Sequence, residues 1–257
     1  MIKSDLKKKL KKRERVFAYW ITNYDLTTLE IVLKLGAYDC FVVDMEHFSI
    51  SFQNLEEIIR LVDAYKKPTL VRIEKIEEKC ISKSLDLGAS GIIAPNVNSA
   101  EDLNLLIDSV YYPLKGSRGV GLTRSSNHGK DFSNYYKKFN NSVVIIPMIE
   151  NVKALNNLDE IITNKDIDGI LIGPYDLSAS LGTPGKFGQL KFKKIIKKIS
   201  NITKKNNVTC GMHIVHTNSA NLSKHIRSGY NFIPFSTDIQ IFVDGLSEKL
   251  NALKKFR

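Results

Sequence analysis

Short apolar runs rich in β-branched and aromatic residues recur along this chain, with amphipathic stretches between them. Eight such runs read as strands: 16–22 (VFAYWIT), 39–45 (DCFVVDM), 68–73 (PTLVRI), 90–97 (SGIIAPNV), 143–150 (VVIIPMIE), 168–174 (DGILIGP), 208–215 (VTCGMHIV) and 230–236 (YNFIPFS). They are near-continuous rather than alternating, as expected for parallel strands covered on both faces. The stretches 51–65, 77–88 and 151–163 have helical periodicity. Gly36 and Gly88 fall where helices should end before the next strand. Eight strands alternating with helices in 257 residues predict an α/β fold, a (β/α)8 TIM barrel. A doubly wound sheet is the alternative, but no GxGxxG follows the first strand. No second domain is evident, so 1–257 reads as one barrel domain with 1–15 as a basic N-terminal helix or arm. The segment 239–257 reads as a terminal helix that packs on the barrel or on a neighbouring subunit. The longest irregular stretch, 112–130, carries Arg118, Arg124 and four glycines. It reads either as an active-site loop offering cations to an anion or as a disordered surface insertion.

Charge changes this picture little. The formal net charge is +11 and the isoelectric point near 9.4, which raises the question of nucleic acid. Residues 1–15 hold eight Lys/Arg against Asp5 and Glu14, and 191–205 holds seven lysines and no acid. In the second run Phe192, Ile195, Ile199 and Ile202 recur at helical spacing, placing the lysines mainly on a solvated face. With no zinc-finger or RNP-type motif, a nucleic-acid partner is not expected. No apolar run reaches the roughly 18 residues of a membrane span, and no apolar h-region follows the basic N-terminus. The three cysteines, Cys40, Cys80 and Cys210, are widely spaced with no CxxC. They fit a reducing cytoplasm and exclude a disulfide scaffold or a cysteine zinc site.

In a barrel of this class, catalytic groups belong at the C-terminal ends of the strands. The second run ends in Asp44-Met45-Glu46-His47, the third carries Arg72, the fifth ends in Glu150, and Gly173-Pro174-Tyr175-Asp176 follows the sixth. Glu150 and Asp176 can cap the helices that follow, or together hold a hard divalent cation through oxygen. His47 reads as a structural histidine or as an acid/base whose acidic neighbours orient it. Arg72 can pair with a barrel carboxylate or receive a substrate carboxylate or oxyanion. His213 and His216 are three apart in a strand, so they face opposite ways, which argues against joint metal ligation, and they read as structural or as supports behind the site. Position and chemistry together predict a metal-dependent barrel enzyme acting on a small anionic substrate.

These residues resemble a known family, the HpcH/HpaI aldolases, metal-dependent (class II) pyruvate aldolases. The matching pieces are DCFVVDMEHFSIS (39–51), PTLVRI (68–73), LDLGASGIIAPNVNSAEDL (85–103), GSRGVGLTRSSNHG (116–129), PMIENVKALNNLDEI (147–161) and DGILIGPYDLSASLG (168–182). They keep the family's order and spacing, and weaker similarity runs through 208–246. The resemblance implies a phosphoenolpyruvate/pyruvate-type barrel whose last helix is exchanged between subunits of a homo-oligomer, commonly a hexamer (trimer of dimers). It implies Mg²⁺, Mn²⁺ or Co²⁺ on Glu150 and Asp176, with pyruvate chelating that cation. It further implies Arg72 on the keto or enolate oxygen, and His47 moving protons with help from Asp44 or Asp86. Peptide groups near Ala94, Pro95, Gly173 and Pro174 would hold the carboxylate. The implied reaction is reversible cleavage of a 4-hydroxy-2-oxo acid to pyruvate and an aldehyde. Two departures stand out: Met148 replaces a family Gln two residues before Glu150, and Tyr175 is bulkier than the usual residue. The competing functions are an acyl-CoA lyase of the malyl- or citramalyl-CoA type and a non-catalytic basic binding protein.

Overall fold

The computed structural model describes residues 4–214, 217–254 and 256. Its strands are β1 (Val16–Ile21), β2 (Cys40–Asp44), β3 (Thr69–Arg72), β4 (Gly91–Ala94), β5 (Val144–Ile149), β6 (Ile170–Ile172), β7 (Cys210–Met212) and β8 (Phe232–Thr237). They close in sequence order into one parallel barrel. The helices are α1 (Ser4–Lys11), α2 (Leu26–Leu35), α3 (Phe52–Ala64), α4 (Glu78–Asp86), α5 (Ala100–Val110), α6 (Phe132–Phe139), α7 (Leu158–Thr163), α8 (Pro174–Ser180), α9 (Leu190–Lys205), α10 (Ser219–Arg227) and α11 (Asp238–Lys254). Seven of the eight expected strands contain an observed strand, the eighth (230–236) overlaps β8, which ends one residue later, and the (β/α)8 expectation holds. Gly36 ends α2 with φ +76, the left-handed cap that glycine adopts most easily.

Strand alternation divides the core in two. Trp20, Val42, Leu70, Ile93, Met148, Leu171 and Phe232 belong to a buried cluster that fills the barrel interior. The opposite faces of the strands pack against the helices in a second, larger cluster. The interior cluster includes Leu6 and Leu10 of α1, so the N-terminal helix plugs the end of the barrel where the strands begin. Lysines fasten that plug. Lys7 donates to the Val143 carbonyl at 2.7 Å and to Asp168 at 2.8 Å, and Lys11 donates to the Ile167 carbonyl at 2.6 Å. Burial lowers the Lys7 pKa against the opposing pull of Asp168. The basic stretch expected as a helix or arm is a helix that serves largely as a structural stopper, whereas the α9 lysines lie opposite buried Phe192 and Ile199.

Two expectations for connecting segments change. The stretch 112–130 is neither an insertion free of the barrel nor a source of unpaired cations. Arg118 is fully buried, pairs with Asp86 at 2.5 Å, and lies over the rings of Tyr112 and Phe139. Arg124 pairs with Asp63 at 2.7 Å and donates to the Leu87 carbonyl at 2.9 Å. A guanidinium taken from water needs such partners, and here they tie the segment to α3 and α4. The helix expected over 151–163 splits into a 3₁₀ turn, Val152–Leu155, and α7. Asn157 stands at the break and donates its side-chain amide to the Asn98 carbonyl at 2.8 Å.

Among the described residues no helix is long and apolar enough to cross a membrane. The terminal helix α11 buries no residue, and Ile241, Phe242, Leu246 and Leu250 on it are exposed. Asp238 roots it by accepting from the backbone N–H groups of Thr22 and Asn23. If Leu10 plugs the barrel, Leu10→Ala should cost about 2–5 kcal/mol, as for other large-to-small core changes. The fully exposed Leu114 is the control: its alanine variant should keep the wild-type urea midpoint. Equal midpoints for both variants would remove the plug.

Candidate active site

Strand ends build the site. Asp44 ends β2 and Arg72 ends β3, paired in register, and both side chains are buried. Arg72 donates through Nε to Asp44 Oδ1 at 2.9 Å and through Nη2 to Oδ2, forming a two-pronged pair. Trp20 of β1 completes the support, donating its indole N–H to Asp44 at 3.0 Å beneath the guanidinium. Burial alone pushes the Asp44 carboxyl upward, but Arg72 and the Trp20 N–H hold it below the usual carboxylate range. Asp44 Oδ1 also accepts from the backbone N–H groups of Glu46 at 3.1 Å and His47 at 3.4 Å. One carboxylate therefore fixes both the arginine fork and the turn that carries His47.

Glu46, read from the sequence only as an acidic neighbour of His47, enters the site itself. Its signal was the period of two: a residue two beyond inward-facing Asp44 faces the same mouth. Glu46 Oε2 lies 3.0 Å from Arg72 Nη1 without hydrogen-bond alignment, and is buried with no hydrogen bond. Of the five N–H groups on Arg72, Nε and one Nη2 hydrogen are committed to Asp44. The others remain for an oxygen ligand. His47 is about half exposed, with Nε2 3.8 Å from Glu46. Asp86 ends α4 with its carboxylate on Arg118, so the acid beside the His47 ring here is Glu46.

Across the mouth, Glu150 follows β5 and is buried. Its Oε1 accepts the Asn96 N–H at 2.6 Å, a bond aimed by the left-handed φ of +54 at Asn96. Gly173 is required beside it, because a Cβ there would sit 2.6 Å from Glu150 Oε2. Asp176 lies in the first turn of α8, whose N-terminus is opened by Pro174 at a favoured position. Burial pushes Glu150 up to about 7 against the Asn96 bond, with Glu46 and Asp176 adding to the rise. Burial also pushes Glu46 up to about 7, with Arg72 opposing and Asp44 and Asp176 adding.

The peptide groups expected to hold a carboxylate are otherwise engaged. The Gly173 N–H donates to the Ile149 carbonyl at 3.3 Å and the Asn96 N–H to Glu150. Pro95 and Pro174 have no N–H, and Ala94 lies within β4. Met148 is buried inside the barrel with its methyl group near Gly173. Tyr175 packs edge-on against Phe187 at 5.0 Å between ring centres, at the outer side of the mouth. His213 is half-buried beside Trp20, and His216 lies outside the described residues.

Among the described residues no group of three or more His, Cys, Asp or Glu side chains can hold a metal ion. The donor set still fits a hard divalent cation. Glu150 and Asp176 offer oxygen ligands, the usual shell of Mg²⁺ or Mn²⁺ includes water or substrate, and a cation would offset the burial and the mutual repulsion that raise Glu46 and Glu150. In metal-free protein these two acids take up protons on folding, between their ordinary 4.5 and about 7. Their contribution to stability is complete below about pH 4.5 and is lost as pH rises through 7. Urea midpoints of metal-free protein should fall between about pH 5 and pH 8, and Glu46→Gln should flatten the fall. An unaltered slope in that variant would mean Glu46 is not held in its neutral form.

The model of the HpcH/HpaI aldolase/citrate lyase family matches residues 18–245. A 2-keto-3-deoxy-L-rhamnonate aldolase of Escherichia coli O9:H4 (strain HS) is 30% identical over 256 residues, covering 99% of this chain and 94% of that protein. The solved HpcH/HpaI aldolase of Desulfitobacterium hafniense DCB-2 superposes with a TM-score of 0.87 at 26% identity, over 97% of this chain and 96% of its own. A family structure from Burkholderia cenocepacia J2315 reaches a TM-score of 0.91 at 22% identity, over 98% and 99%, and attests the fold alone. Strand-end acids facing an arginine across a closed barrel thus agree with an independent match over most of the sequence: this chain belongs to the HpcH/HpaI aldolase/citrate lyase family and is a carbon–carbon lyase.

Proposed function

We propose that this protein is a metal-dependent aldol lyase that reversibly cleaves a 4-hydroxy-2-oxo acid into pyruvate and an aldehyde. The observation that carries the reading is the Arg72 fork, locked by Asp44 and Glu46 with N–H groups to spare, opposite the carboxylates of Glu150 and Asp176. Glu150 and Asp176 would hold Mg²⁺, Mn²⁺ or Co²⁺, which when bound supplies positive charge that polarises the 2-oxo acid. His47 accepts the proton of the C4 hydroxyl as the C3–C4 bond breaks and C4 becomes the aldehyde carbon. The bonding pair passes through C3 towards the 2-keto oxygen, where the uncommitted Arg72 N–H groups meet the developing charge. Protonation at C3 then yields pyruvate. Asp44 acts through Arg72 and through the backbone of the His47 turn. Asp86 reaches the chemistry only through whatever its Arg118 pair positions.

The exposed apolar face of α11 supports the oligomeric part of this proposal: a homo-oligomer, hexamer or trimer of dimers, in which that helix packs on a neighbouring barrel. A main role in nucleic-acid binding is disfavoured, because Lys7 and Lys11 are spent on the barrel floor. The lyase acts, in this reading, in the cytoplasm.

The decisive experiment follows deuterium entry into the pyruvate methyl group by NMR in D₂O, with Mg²⁺ or Mn²⁺ and with EDTA. Exchange should require the cation and fall in Glu150→Ala. A folded, cation-supplied protein that gives no exchange overturns the pyruvate reading. Arg72→Lys keeps the charge but not the fork, and should lower kcat/KM for cleavage by about 10²-fold or more. Wild-type turnover in that variant would move the oxyanion role away from Arg72. His47→Ala should slow cleavage by about 10²–10⁴-fold while pyruvate still binds.

A further inference from the structure

The mouth holds a half-buried titratable group that this mechanism leaves idle. On β7, Gly211 faces the barrel interior, where a Cβ would meet Phe232 and Leu171, so His213 two residues on faces the same way. Its ring centre lies 5.0 Å from that of Trp20, the side chain whose ring also carries the Arg72 guanidinium at 5.2 Å. In a closed barrel of eight strands in sequence order, β7 stands diametrically opposite β3. His213 therefore faces the barrel interior across from the strand that carries Arg72, against the same indole.

The protonation state of the imidazole follows from its surroundings. Nε2 lies 3.2 Å from the Ser236 carbonyl oxygen, which can only accept, so Nε2 carries the proton. Burial lowers the pKa to about 4 against the pull of that carbonyl, so the ring is neutral at physiological pH. Nδ1 is then a lone-pair acceptor. It has no hydrogen-bond partner among the described residues, and it is not among the sealed-off polar atoms, so it meets open space.

We propose that His213 is a specificity-determining residue that accepts a hydrogen bond from a hydroxyl on the aldehyde half of the substrate. The preferred aldehydes are accordingly hydroxylated ones rather than their alkyl counterparts. A neutral acceptor rewards a hydroxyl, gains nothing from a methylene, and repels a carboxylate. This inference rests on the aldol-lyase reading, and its test separates the two.

The experiment measures pyruvate addition to glyceraldehyde and to propionaldehyde, with the divalent cation present, and takes the ratio of the two kcat/KM values. That ratio cancels effects on the shared pyruvate half. Wild type should favour glyceraldehyde, and His213→Leu should lower the preference by about tenfold or more. His213→Asn, which keeps an acceptor close to the Nδ1 position, should retain most of it. If His213→Leu does not fold, His213→Phe keeps a ring against Trp20 and removes the acceptor. An unchanged ratio in the leucine or phenylalanine variant overturns the proposal, as does an asparagine variant no better than leucine. Methyl exchange without hydroxyl preference in wild type sinks the role of His213 alone, and absence of methyl exchange sinks the aldolase reading with it.

Discussion

A guanidinium buried at the mouth of the barrel is the feature around which the rest of the site is arranged. Arg72 loses most of its water at the end of β3, and a charge so placed is tolerated only with close, hydrogen-bonded counter-charges. Asp44 answers it from the neighbouring strand in register, Trp20 steadies Asp44 from below, and Glu46 approaches from above. Removing one partner of such a pair leaves the other charge uncompensated, typically at about 3–5 kcal/mol. The same carboxylate holds the backbone of Glu46 and His47. The position of the proposed acid/base group is thus a consequence of how the arginine is neutralised.

The opposite end of the barrel obeys a different rule. There, charge serves closure: Lys7 and Lys11 reach Asp168 and the carbonyls of Val143 and Ile167, while Leu6 and Leu10 enter the interior. A barrel floor needs its exposed strand-start carbonyls satisfied and its interior sealed, and one amphipathic basic helix does both. The large positive charge of the chain is therefore in part a stability device. Chemistry sits at one face and closure at the other.

The strands were legible because parallel strands buried on both faces leave near-continuous apolar runs, and Asp44, Arg72 and Glu150 were legible because they end such runs. What escaped were partnerships across long sequence separations. Nothing local in the chain says that Arg118 reaches back to Asp86, or that Asn157 leaves its helix to hold Asn98. Leu6 and Leu10 among lysines look like a solvated basic arm until a barrel floor is available to receive them. Glu46 shared a motif with two assigned residues, yet what sets its charge is burial in the closed mouth, together with Arg72 and, in part, Asp176 on an element more than a hundred residues away. His213 looked structural for a sound local reason, its opposition to His216, and only closure of the sheet brings it to Trp20.

The charge balance of the mouth bears on how an anionic 2-oxo acid can enter it. Asp44, Glu46, Glu150 and Asp176 stand around a single arginine, and a second anion would meet net repulsion from that set. Two remedies exist: protonation of the raised pair, Glu46 and Glu150, or a cation on the Glu150–Asp176 side. Protonation would leave Arg72 as the sole attraction and would strip Glu150 of its ability to serve as an oxygen ligand. In the proposed reading a cation would do both tasks and would favour the ionised forms of Glu46 and Glu150. In the same reading Met148 would sharpen the need for a cation. Its thioether side chain lies beside Gly173 and Glu150, where an amide would offer polar contact, so Glu150 has fewer alternatives to a cation for balancing its charge.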